Sequence, residues 1–282
     1  MRTPTIPTRI ERVTMDFLSF DFMRRALLAG ALVGFAAPSV GIYLVQRRLS
    51  LMGDGIGHVV FMGVAAGLLV GVSPLIAALL FASAGAAAIE VLRQRGKTSS
   101  DVALALIFYL GIAGGIFFLG LGPISSIQLN AYLFGSILTV NSVDLWIVGA
   151  VAAATTLVTH TLRKHLFAVA YDEEIARVSG LPVTALNMLI AVAAAITVAV
   201  TSKVVGVLLV AALLVLPVAA VQQISTSFRS TFYGSLLLGA FLATSGLVVA
   251  FYTALYPAAT IVLMGIASFV IASGVRTLLR TG

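Results

Sequence analysis

The sequence predicts an all-α fold, a polytopic transmembrane helical bundle of eight or nine spans, on three observations. Of 282 residues, 60% are apolar and 10% charged, against about 45–50% and about 25% in soluble domains, and the mean hydropathy is +1.13. The apolar residues fall into continuous runs near 26–45, 55–72, 74–92, 102–122, 145–162, 185–201, 204–221, 232–253 and 258–275, each close to the roughly 20 residues that cross a bilayer as a helix. Between the runs lie basic clusters, Arg47-Arg48, Arg93 to Lys97, Arg163-Lys164 and Arg276 to Arg280, the pattern of loops held on the cytoplasmic side. The net charge of +7 therefore reports orientation, and no nucleic-acid partner is expected. With no cysteine in the chain, disulfides, thiolate metal sites and iron–sulfur clusters are excluded.

Residues 1–21 hold two prolines and four threonines before Met15 and read as a flexible N-terminal arm; 22–282 read as one membrane domain. Placing 93–101, 163–184, 222–231 and 276–282 in the cytoplasm gives nine spans with the N-terminus outside. Arg24 and Arg25 fit that poorly, which leaves a half-length or re-entrant segment around 46–72 or 123–142. Asp101 and Asp144 precede apolar runs and read as helix N-caps. Glu90 lies one turn before Arg93 and reads as its ion-pair partner. Lys203 lies between two runs and is expected to snorkel to the interface, and His160 and His165 flank Arg163-Lys164 as interfacial residues.

The run from 55 opens differently. Asp54, His58 and Met62 are spaced i, i+4, i+8, so on a helix they stack about 6 Å apart within an arc of about 80°. A carboxylate, an imidazole and a thioether suit a borderline divalent ion, and the stripe is too sparse for a closed site. The same residues also fit a cap, a carbonyl-bonded imidazole and a packed thioether. Further on, Tyr171 to Pro182 holds the Asp172-Glu173-Glu174 acidic cluster and reads as a short surface helix stopped at Gly180-Leu181-Pro182. Pro217, deep in an apolar run, removes a helical hydrogen bond and reads as a flex point or a static kink.

Four stretches together, Arg48 to His58, Tyr132 to Val140, Asp172 to Gly180 and Val205 to Pro217, resemble the permease subunits of ABC-type zinc and manganese importers, over residues 22 to 275. The resemblance implies a fold of the metal, siderophore and vitamin importer type and a homodimer around a central path in the bacterial inner membrane. It also implies two ATP-binding subunits below and an extracytoplasmic metal-binding protein above. On the matching positions, Asp54 and His58 would line the metal route, with Met62 added from helical spacing alone. The segment 163–184 would be the coupling loop, with Asp172, Glu174, Ala176 and Gly180 meeting the ATPase. No Walker A pattern occurs in the sequence, so the chain is expected to be no enzyme, to hold no resident cofactor, and to leave ATP to a partner. Ligand affinity favours zinc as cargo, with manganese or iron next. Siderophore or vitamin permeases and proton-coupled carriers are the rival readings; an intramembrane metalloprotease would need His-Glu-x-x-His, which is absent.

Overall fold

The computed structural model describes residues 20–94, 99–123, 126–135, 141–207 and 210–281. They form twelve helices: α1 Asp21–Gln46, α2 Met52–Val70, α3 Pro74–Gln94, α4 Ser100–Gly120, α5 Ser126–Phe134, α6 Ser142–Thr161, α7 Arg163–Tyr171, α8 Glu173–Val178, α9 Val183–Val205, α10 Val210–Ile224, α11 Phe228–Thr253 and α12 Pro257–Thr281. Among the described residues there is no strand, as lipid demands of a spanning chain that is not a closed barrel. The arm expected over 1–21 lies outside the described residues except for Phe20 and Asp21, the latter already helical.

Eight helices, α1 to α4, α6, α9, α11 and α12, are long and apolar enough to span a bilayer. The run expected at 204–221 is displaced: α9 continues to Val205, and α10 follows as a shorter apolar helix of 15 residues that passes through Pro217. The segment 46–72 contains a full span, α2, whereas 126–134 is the half-length piece, α5. The most enclosed spans are α1, α2 and α9, with α3 and α4 packed on α2, and α6, α10 and α11 on α1.

Polar contacts define two ends. At one, Arg47 and Arg93 reach Glu173, Arg163 reaches Tyr233, and Arg276 reaches Gln223. Tyr43 stacks near Phe228 and donates to the Thr159 carbonyl. This basic end gathers the start of α2, α4, α9 and α11 and the finish of α1, α3, α6 and α12. At the other end Phe20 meets Phe251, Phe134 meets Tyr256, and Thr260 donates to the Gly246 carbonyl, tying α12 to α11.

Here also two glycines close the join between α5 and α9. Gly135 (φ 75°) and Gly206 (φ 97°) both take the left-handed region that favours glycine. Their backbones touch: a Cβ on Gly206 would lie 2.5 Å from the Gly135 nitrogen. Small residues allow such approach where no hydrophobic effect drives helices together. Gly206→Ala is therefore expected to cost at least about 2 kcal/mol, strain and overlap combined, read as a lowered thermal midpoint in detergent. Gly274→Ala, which meets open space within α12, should leave the midpoint unchanged or raise it slightly.

Candidate functional site

From Met52 to Gly67, α2 is buried on every side but one, and only Asp54, His58 and Met62 are partly exposed. The face that the rest of the chain leaves uncovered is thus the polar stripe itself, continued at the basic end by exposed Leu51. α4 runs alongside it. Gly111 sits on the backbone of His58, where a Cβ would lie 2.5 Å from the His58 carbonyl carbon, so the two helices lie flush at that turn. The His58 ring meets Phe108 edge-on with centroids 4.4 Å apart, and the Met62 thioether lies over Gly114. Beside Asp54 a groove of about 230 Å³ opens between the helices, lined by Leu51, Asp54, Asp101, Leu104, Phe108 and Tyr109.

Among the described residues no three His, Asp or Glu side chains come together to hold a metal ion. One chain therefore offers an open row of donors rather than a closed cage. Such a row would need further ligands to enclose an ion.

Asp144, Lys203 and Glu90 have structural partners, some not those expected. Asp101 is not the cap of α4: the Ser99 hydroxyl accepts from the Val102 amide at 3.4 Å, and Asp101 lines the groove. Asp144 is the third residue of a capping box whose cap is Asn141. Lys203 does not snorkel freely. Its ammonium lies 3.4 Å from the Asp144 carboxylate, donates to the Tyr132 hydroxyl at 3.2 Å, and sits 4.9 Å from that ring's centre. Glu90, expected to pair with Arg93, does so at 3.0 and 3.1 Å and also accepts from Gln94 at 2.9 Å.

At the basic end the acidic cluster folds as expected into a short helix, α8. The Asp172 carboxylate caps it, accepting from the Glu174 and Ile175 amides at 2.9 Å. Gly180 (φ 82°) ends it in the left-handed region. Glu174 and Gly180 are exposed, while Ala176 is 2% exposed and turned into the bundle. Ala176 thus packs α8 against its own chain. The outward surface is built instead from Glu174, Ile175 and Val178 beside Tyr171, the last three large apolar or aromatic groups exposed by 64%, 90% and 73%. The sequence signal for it was available: apolar residues three apart in a segment otherwise rich in charge. Glu173 turns inward to Arg47 and Arg93. Burial raises its pKa, but the two guanidiniums outweigh that and hold the carboxyl below its ordinary value of 4.5.

A bundle of eight helices fit to span a bilayer, with a partly exposed polar row on α2 and a short, largely exposed helix at its basic end, describes a multi-pass membrane protein. Comparison with known proteins gives the particular kind: the chain belongs to the ABC 3 transport family, which matches residues 19–276. A probable metal transport system membrane protein of Treponema pallidum is 33% identical over 85% of this chain and 90% of its own length. The manganese import system permease protein ScaB of Streptococcus gordonii is 29% identical over 96% and 99%. Among solved structures, PsaBC from Streptococcus pneumoniae in complex with Fab superposes with a TM-score of 0.80 at 30% identity, covering 93% of this chain and 95% of that one.

The lowered carboxyl of Glu173 sets a pH window. Its ion pairing contributes stability above the unfolded carboxyl value, and that contribution fades as pH falls through the lower folded value. The gap in thermal midpoint between the native chain and Glu173→Gln should therefore be full at pH 6–7 and shrink towards zero well below pH 4.5. A gap independent of pH would assign the stabilisation to packing.

Proposed function

We propose that this chain is the permease subunit of an ABC importer for divalent transition metal ions, acting as a homodimer in a bacterial inner membrane. One observation carries the reading: from Met52 to Gly67, over four turns of α2, Asp54, His58 and Met62 are the only residues not buried. Charged groups in hydrocarbon cost several kcal/mol. A carboxylate and an imidazole facing out of one chain are best understood as part of the wall of an aqueous path shared with a second copy. The family membership and the metal-transport names of the relatives supply the class of cargo.

The donor set suits manganese, zinc and ferrous iron alike. Zinc is favoured by affinity, but the manganese names of several relatives move our reading to manganese. In the proposed cycle an extracytoplasmic protein delivers the ion at the end bearing Lys203. The ion passes Met62, His58 and Asp54 in turn, and leaves at the basic, cytoplasmic end. ATP binding and hydrolysis belong to a partner seated on α8, which Glu174, Ile175, Val178 and Gly180 would meet while Asp172 holds the helix in shape. Pro217 gives α10 a place to flex, because its ring removes one helical hydrogen bond.

In proteoliposomes holding the permease, its ATPase and its delivery protein, Asp54→Ala and His58→Ala should each cut manganese uptake by at least about tenfold. Met62→Leu should change it by less than about threefold, since packing on Gly114 is kept. Competition by zinc and ferrous iron ranks the cargo. Undiminished manganese uptake in the Asp54→Ala, His58→Ala double variant would contradict the assignment of these residues to the metal route.

A further inference from the structure

Glu173 is held by three segments of the chain at once. Its Oε1 accepts from Arg47 Nη2 at 2.5 Å, from Arg93 Nη1 and Nη2 at 3.1 Å each, and from Asn187 Nδ2 at 3.2 Å. Arg47 belongs to the turn between α1 and α2, Arg93 to the last turn of α3, and Asn187 to the start of α9. With Glu90 the four charged groups sum to zero. Three of them are largely enclosed, with side-chain exposures of 5% for Arg47, 17% for Arg93 and 3% for Glu90, while Glu173 at 35% forms the rim.

Two features make this contact mechanical. α8 has six residues, of which only Ala176 is buried, and a helix so short has no stability of its own. Its position is therefore set by its short joins to α7 at Asp172 and to α9 past Leu181, by the buried Ala176 methyl, and by Glu173, its only charged side chain bonded into the bundle by the contacts above. On the far side of the contact, Arg47 stands only a few residues ahead of Met52, where α2 begins. The intervening Arg48 is in the left-handed region at φ 58°, a strained conformation for a residue with a side chain. The turn is tight and has little slack to absorb a pull on Arg47.

We propose that Glu173 is a positioning residue that joins α8 to α2, so that movement of α8 passes through Arg47 to the helix carrying Asp54 and His58. This rests on the reading above that an ATPase docks on α8, but it assigns the transmission to the inward acid rather than to the outward ones. Glu174 meets the partner; Glu173 carries the displacement onward.

The test uses the permease assembled with its ATPase and delivery protein in proteoliposomes. Because the chain has no cysteine, Leu51→Cys at the exposed start of α2 serves as the sole labelling site. Glu173→Gln should keep copurification of the ATPase and its ATP hydrolysis within about twofold, yet lose about tenfold in manganese taken up per ATP, a size typical of broken coupling networks. It should also lose any nucleotide-dependent change in labelling at Leu51→Cys, and Glu173→Asp should restore part of both. Should Glu173→Gln fold poorly, the Arg47→Cys, Glu173→Cys pair replaces it. Joined by a short bismaleimide, that pair should recover uptake per ATP relative to the same protein left unjoined. Normal uptake per ATP and normal labelling change in Glu173→Gln, or no recovery on joining, would overturn the proposal. Loss of ATPase copurification would do so too, by making Glu173 a docking residue. If the native complex takes up no metal but its nucleotide-dependent labelling is lost in Glu173→Gln, the joint stands and the cargo reading fails.

Discussion

Hydrocarbon offers a carboxylate and an imidazole no hydrogen bonds, so any helix that carries them across a membrane must cover them or give them water. The rest of this structure is arranged around that constraint on α2. Neighbouring helices close tightly on the remainder of its surface, as at Gly111 on the His58 backbone, and leave one row partly exposed. Elsewhere in the spans the opposite solution is used. Asp144 and Lys203 neutralise each other, and Glu90 is closed off by Arg93 and Gln94.

The two ends of the molecule differ in how they hold charge. At the end bearing Lys203, a single ion pair and a tyrosine tie α5, α6 and α9 together, and the two left-handed glycines lock the same junction. At the basic end a four-charge network joins the α1–α2 turn, α3 and α8, and Asn187 ties it to α9. Its acid on α8 is the most exposed member. A buried network that loses one partner leaves an uncompensated charge, so the position of α8 and the arrangement of the helix ends beneath it are energetically linked. That link turns a surface helix into a part of the bundle.

Much of this was legible in the sequence. The spans were readable because the bilayer fixes their length and forbids irregular backbone, and the stripe was readable because three residues at four-residue spacing must share a helix face. What the spacing could not tell was whether that face looks inward or outward, since this depends on which neighbours α2 acquires. The inward turn of Glu173 and Ala176 was likewise hidden. On a six-residue helix the register is set by docking, and the partners Arg47, Arg93 and Asn187 lie far away in sequence. The partners of Lys203 were hidden for the same reason: Asp144 and Tyr132 are 59 and 71 positions distant. Asp101 was misread locally, because Ser99 competes for the cap and takes it.

The claim on which the account rests is that the bare row of α2 faces a second copy of the chain across a path, and not lipid. It is tested most directly by cysteine cross-linking in native membranes with a bismaleimide of about the length of one helix diameter, roughly 10 Å. A cysteine at Met62 should join to its counterpart in a second copy, whereas one at Leu28, exposed on α1, should not. A Met62→Cys chain that remains monomeric on cross-linking and reacts instead with a lipid-dissolved maleimide would contradict the account.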